Sequence, residues 1–226
     1  MTIDLSAERQ IIDSWHQNAR AWSVAISEQQ IASRQQVTNR SIIDAVVSRS
    51  ARKVLDIGSG EGWLTRELTA RGMDVLGVDV VPAFIERSQT QGVGRFELAS
   101  YAEIAAGKLG EKFDLAVANF SLFGNESVTD LFRSIPSLLN DGGTFIVQTL
   151  HPLVACGDFP YSDGWRASSW AGFSDDFTDP APWYFRTVAT WVELFTTHGF
   201  TIAEIREPLH PQTDKPAAAI FIGVLH

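Results

Sequence analysis

Lys53-Val54-Leu55-Asp56-Ile57-Gly58-Ser59-Gly60-Glu61-Gly62-Trp63-Leu64, followed by Gly77-Val78-Asp79, is the stretch whose reading decides the fold. Val54, Leu55 and Ile57 are the β-branched and aliphatic run of a strand buried on both faces. Gly58, Gly60 and Gly62 form the turn after it, and their missing Cβ atoms are expected to let a ligand approach the backbone. A helix from about Trp63 to Ala70 is stopped by Gly72, and Met73 to Val78 gives a second strand. Asp79 stands at the carboxyl end of that strand, about twenty residues after the first glycine, a distance that suits a carboxylate accepting hydrogen bonds from ribose hydroxyls. Strand, glycine turn, helix and strand form the unit by which α/β proteins bring backbone to a nucleotide.

The glycine spacing bears on which nucleotide. A dinucleotide fingerprint has its third glycine where this chain has Trp63, and Asp56, two places before Gly58, makes the turn less suited to pyrophosphate. With Asp56 and Asp79 at this spacing, the chain resembles the class I S-adenosylmethionine-dependent methyltransferases, and more narrowly their small-molecule group often labelled type 11. The resemblance implies an α/β, Rossmann-like, doubly wound sheet of seven mostly parallel strands, the last antiparallel, with an N-terminal helical lid. It implies S-adenosylmethionine as cofactor, held by Asp56, Gly58, Ser59, Gly60, Asp79 and Val80. A plain α/β domain with a glycine-rich turn and no ligand is the alternative.

A chain of 226 residues with 45% hydrophobic content suits one well-buried domain. Within it, residues 1–35 are expected as the lid, 36–150 as the cofactor-binding core, 151–185 as a substrate cap and 186–226 as a closing helix and strand pair. The net charge of −9 and the lack of a Lys/Arg cluster disfavour a nucleic-acid partner. Cys156 is the single cysteine, and nothing reads as a signal peptide or a spanning helix, so a cytoplasmic enzyme, monomeric or homodimeric, is expected.

Leu5 to Ser48 reads as helix, with Ile11, Trp15, Ala19, Trp22 and Ile26 near helical spacing and a second apolar face from Val37 to Val47. On the lid, Trp15, His16, Asn18, Trp22 and Arg34 are the residues to watch; each tryptophan also suits plain packing, and Arg34 could pair the cofactor carboxylate or simply lie in solvent. Helices are expected at Pro82 to Gln89, Ala102 to Leu109 and Val128 to Leu139, and strands at Arg95 to Leu98, Phe113 to Asn119 and Thr144 to Thr149. Where the family often carries an aspartate beside the adenine, this chain has Ala99-Ser100-Tyr101, and Ser100 and Tyr101 are assigned that contact. The resemblance implies a cofactor contact for Asn119 as well, and Phe120 borders it. Phe123 is a substrate candidate or core. The two prolines typical of enzymes that methylate base amines are missing from Asn119-Phe120-Ser121-Leu122.

His151 to Trp183 loses regular periodicity and is rich in aromatics, which either shape an acceptor pocket or anchor a long loop. Trp22, Phe123, Trp183 and Arg186 are the substrate-side candidates. Methyl transfer from a sulfonium needs mainly an in-line nucleophile in a dry pocket. For an acceptor that must lose a proton, His151 is the first candidate base, with His16 and Tyr184 behind it, and no metal is expected. An NAD-dependent oxidoreductase and a non-catalytic S-adenosylmethionine-binding protein are the readings from other classes.

Overall fold

Strands that alternate apolar residues on both faces need a layer on each side, and the computed structural model, which describes residues 5–226, supplies both. In chain order the elements are α1 (Leu5–Ser27), a π-helical turn (Arg34–Thr38), α2 (Asn39–Val47), β1 (Lys53–Ile57), α3 (Trp63–Thr69), β2 (Asp74–Asp79), α4 (Pro82–Thr90), β3 (Arg95–Leu98) and α5 (Tyr101–Ala105). There follow β4 (Phe113–Asn119), α6 (Glu126–Leu138), β5 (Leu139–Thr149), α7 (Pro152–Ala155), β6 (Gly164–Arg166), β7 (Trp183–Phe185), α8 (Val188–Thr197), β8 (Phe200–Arg206) and β9 (Ala219–Leu225). The first four residues of the expected lid lie outside the described residues.

The main sheet has seven strands in the order β3-β2-β1-β4-β5-β9-β8. The first five pair in parallel, while β9 runs against both β5 and β8. Leu55 and Ile57 of β1 and Phe113, Ala116 and Ala118 of β4 pack on α6 and α8 through Leu131, Phe132, Ile135, Trp191 and Phe195. Val54, Leu115 and Val117 face the other way, onto Ile42, Ala45 and Val46 of α2 and Leu64 and Leu68 of α3. Each such buried Val, Leu, Ile or Phe side chain contributes about 1.5–3 kcal/mol, so the sheet fixes the strand ends that carry its loops. The strand order reverses between β1 and β4, and α/β proteins bind ligands at the carboxyl ends of strands flanking that point.

α1 packs on neither sheet face. Its Trp15, Ala19 and Trp22 form a satellite cluster with Val80, Val81 and Phe84 at the start of α4, above the carboxyl ends of the strands. Several boundaries depart from the sequence reading: the run read as helix from Leu5 to Ser48 breaks after Ser27, and β5 begins at Leu139 rather than Thr144. The helix expected from Ala102 to Leu109 is α5, shorter and one residue earlier, because Ser100 and Glu103 close a reciprocal capping box at its start. The segment after β5 is less irregular than expected: β6 and β7 pair antiparallel through Gly164↔Phe185, Trp165↔Tyr184 and Arg166↔Trp183. Among the described residues no helix is long and apolar enough to cross a membrane.

Candidate active site

β1, β2 and β4 deliver their ends to one cavity of about 270 Å³. Its walls include Asp56, Gly58, Ser59, Gly60, Asp79, Val80, Ser100, Tyr101, Asn119 and Phe120, so all ten residues expected to hold the cofactor come together there. The glycines divide the work differently from the expectation. A Cβ on Gly58 would lie 2.3 Å from Cβ of Ser121, and one on Gly62 would lie 2.6 Å from the Phe96 ring, so packing between loops demands both. At Gly60 the nearest neighbour is the Trp22 indole nitrogen at 3.8 Å, and here the missing side chain leaves room on the cavity side.

Two buried carboxylates open on this cavity. Asp79 accepts hydrogen bonds from the Gly60 and Val81 amides, each at 2.9 Å, which ties the glycine loop to the end of β2. Asp56 accepts from the Thr65 hydroxyl at 2.8 Å. Burial pushes Asp56 up to about 7, the Thr65 bond opposes this, and the neighbouring charge of Asp79 adds to it. Burial likewise raises Asp79, offset by its backbone donors. The Ser59 hydroxyl is buried without a protein partner. Opposite them, Arg34 lies over the rings of Trp63 and Trp22, with its guanidinium carbon 5.0 and 5.8 Å from their centroids. Burial lowers Arg34 to about 10, and Glu61 and Asp56 pull it back up.

At the end of β4, the Asn119 side-chain oxygen accepts from Gln148 Nε2 at 2.7 Å, which leaves its amide nitrogen available as a donor. Phe120 follows with φ of 52°, a left-handed backbone that costs a non-glycine residue of the order of 1 kcal/mol and aims the chain into the site. Tyr101 donates its hydroxyl to the Ser121 carbonyl at 2.9 Å, and Ser100 is occupied by its capping box; both contribute wall, with their side-chain polar atoms already engaged.

A second cavity, about 390 Å³, abuts the first. Ile11, Trp15, Trp22, Arg34, Phe120 and Phe123 line both, and Trp170, Phe173 and Trp183 close the far side. Trp22, Phe123 and Trp183, the substrate-side candidates, all line this second cavity. Four residues are corrected, His151, Tyr184, Arg186 and His16, none of which lines either cavity. His151 lines neither cavity: it is 4% exposed, its Nε2 bonds Glu207 at 2.6 Å, and its Nδ1 is buried. Tyr184 and Arg186 border only a void of about 10 Å³ beneath the site. Arg186 is buried there against the Tyr184 and Trp191 rings and donates to the Asn125 carbonyl, which makes it a strut. His16 is exposed on α1 and lines neither cavity.

The sequence reading missed Glu8. From α1 its carboxylate accepts the amides of Asn125 and Glu126 at 2.7 and 3.0 Å and the Ser127 hydroxyl at 2.6 Å, capping α6 from a distant part of the chain. Gly124 permits this, since a Cβ there would sit 2.2 Å from Glu8 Oε2. A lone glutamate on a helix gave no signal of it, although glycine at 124 beside Asn125 marks the helix start. Glu8→Ala should cost about 1–2 kcal/mol, as loss of an N-cap does, and speed hydrogen exchange at Asn125 to Ser127. Unchanged exchange there would refute the cap.

Residues 15–205 match the family described as methyltransferase domain. The chain belongs to that family. Of the curated relatives of this methyltransferase-family chain, an uncharacterised methyltransferase of Mycobacterium bovis is 30% identical over 110 residues, 48% of this chain and 56% of the relative. A ubiquinone biosynthesis O-methyltransferase of Azorhizobium caulinodans is 33% identical over 108 residues, 45% of this chain and 42% of the relative. The matches therefore span about half the length of these relatives. Among solved structures, an S-adenosylmethionine-dependent methyltransferase from Mesorhizobium loti superposes with a TM-score of 0.62 at 21% identity, covering 81% of this chain and 96% of that one. The 1,6-didemethyltoxoflavin-N1-methyltransferase of Burkholderia thailandensis, with 1,6-didemethyltoxoflavin and S-adenosylhomocysteine bound, superposes at 0.66 and 20% identity, covering 97% and 88%. At these identities the structures share the fold.

Proposed function

We propose that this methyltransferase-family chain transfers a methyl group from S-adenosylmethionine to a small-molecule acceptor by in-line displacement. The observation that carries this reading is the pair of buried carboxylates, Asp56 and Asp79, on one cavity. Two such anions are costly unless a cationic ligand or hydroxyl donors compensate them, and they repel a pyrophosphate. S-adenosylmethionine brings an ammonium, a sulfonium and ribose hydroxyls, and the donor set fits it. Asp79 would accept from the ribose, Asp56 and the Gly60 loop would hold the methionine end, the Ser59 hydroxyl, buried without a protein partner, would gain one, and Arg34 would pair the carboxylate. Val80, Phe84, Ala99 and Tyr101 offer the apolar slot that suits the adenine ring.

When bound, the cofactor supplies a methyl group on a sulfur that leaves as a neutral thioether. This chain's residues position and desolvate. Phe120 and Phe123 form the shared wall across which an acceptor faces the methyl, and Trp15 and Trp22 of α1 exclude water from above. The net charge of −9 and the acceptor named for the structurally similar Burkholderia enzyme are in keeping with a small molecule rather than a nucleic acid.

Thermal unfolding with S-adenosylmethionine, S-adenosylhomocysteine or NAD tests the cofactor. At a hundredfold excess over Kd, the first two should raise the melting temperature by about 5–10 °C and NAD should not. A shift with NAD alone would turn the reading to an oxidoreductase. Binding that persists while no acceptor in a broad panel is methylated would turn it to a non-catalytic cofactor-binding protein.

A further inference from the structure

The second cavity has a wall composition with a chemical consequence. Among the described residues that line it there is no Asp, Glu, His, Lys, Tyr or Cys. Its one charged residue is Arg34, which cannot accept a proton and is drawn to the cofactor side by the Trp63 ring and by Glu61 and Asp56. His151, the base candidate from sequence, is sealed away against Glu207. Nothing on this wall can therefore take a proton from an acceptor hydroxyl or ammonium.

The wall is instead aromatic. Trp15 meets Trp22 edge-on at 5.2 Å and Trp170 at 5.8 Å, and Trp22 lies 6.2 Å from Phe173, so α1 and the segment between β6 and β7 interlock around the space. Phe123 packs on Trp15 at 6.0 Å. Hydrogen bonds hold the two halves together: Asn18 donates to the Thr178 carbonyl and accepts from its amide, and Ser14 donates to the Asp179 carbonyl. Such a box favours flat apolar rings, and its π faces stabilise positive charge.

Resting on the methyl-transfer reading above, we infer that the acceptor is a flat aromatic heterocycle methylated on a ring nitrogen that is unprotonated at neutral pH. The nitrogen lone pair forms the bond to the methyl carbon as the carbon–sulfur bond breaks, and the electron pair of that bond stays on sulfur. The neutral ring becomes an N-methylated cation, no proton is removed, and the charge passes from sulfur to a ring surrounded by aromatic faces. Of the two large cavities Trp183 and Ala181 line only the acceptor one, where they set which rings enter.

Isoquinoline is a probe with such a nitrogen, 2-naphthol a ring of similar shape that must lose a proton, and cyclohexylamine a charged aliphatic amine. The protein loaded with S-adenosylhomocysteine should bind isoquinoline saturably, read by calorimetry and by quenching of tryptophan fluorescence, and with S-adenosylmethionine it should not methylate cyclohexylamine, whose ammonium has no free lone pair. Trp183→Ala should weaken isoquinoline binding at least tenfold, and Ala181→Trp, which fills the cavity without removing a core residue, should abolish it. Both variants should keep S-adenosylhomocysteine affinity within twofold. At saturating S-adenosylmethionine, methyl transfer to isoquinoline should vary little between about pH 7.5 and 9, with no base on the acceptor wall titrating. Normal S-adenosylhomocysteine affinity with no binding of the ring overturns the acceptor class and leaves the methyl-transfer reading standing. Transfer confined to 2-naphthol or cyclohexylamine overturns it too. A protein that does not bind S-adenosylhomocysteine overturns the methyl-transfer reading and the inference with it.

Discussion

Asp79→Ala should lower S-adenosylmethionine affinity at least tenfold, about 1.4 kcal/mol or more in binding free energy. The loss has two sources in the geometry. The carboxylate is the acceptor at the end of β2 placed for ribose hydroxyls, and it also fixes the loop through the Gly60 and Val81 amides. Removing it leaves two amides without their acceptor, which costs about 1–3 kcal/mol apiece where water does not replace it. Calorimetry reads the affinity and denaturant unfolding reads the stability. The variant should stay folded, because the sheet core does not involve this side chain. Affinity within twofold of the parent would remove the ribose assignment.

Asp56 should make cofactor affinity depend on pH. In the free protein its carboxyl titrates at about 7, because burial disfavours the charged form. A cationic ligand binds the ionised form, so below about pH 7 binding must expel a proton. Affinity should then fall toward tenfold per pH unit on acidification and level off above about pH 7.5. Asp56→Asn should flatten the profile and bind more weakly at pH 8. Calorimetry in buffers of different ionisation enthalpy would detect the released proton, and no release near pH 6.5 would refute the assignment. Stability runs the other way. The folded pKa of about 7 stands above the ordinary 3.8, so this group's contribution to the ligand-free protein is fullest below pH 3.8, declines as pH rises to about 7 and is flat beyond. At pH 8 the asparagine variant without ligand should therefore be the more stable, by at most about 4 kcal/mol.

The core and the cofactor side were legible because both are local in sequence. Lys53 to Asp79 contains strand, turn, helix and strand in one run, and its glycines and carboxylates reach the same cavity through parallel pairing of β1 with β2. The element order from Phe113 to Leu225 follows from strand-length apolar runs with turns between them. What escaped depends on distant contacts. Glu8 caps a helix more than a hundred residues away, and its meaning exists only once α1 lies over the carboxyl ends of the strands. His151 and Arg186 read as chemistry because they are polar and near a sheet edge. The fold buries them, one against Glu207 and the other between Tyr184 and Trp191. Gly58 and Gly62 read as ligand clearance, whereas Ser121 and the Phe96 ring claim that space.

α1 roofs both cavities while it is fastened at one side to the start of α6 through Glu8 and at another to Thr178 and Asp179 through Asn18 and Ser14. One helix therefore serves two spaces at once, so a substitution that shifts α1 at either fastener reshapes both cavities together.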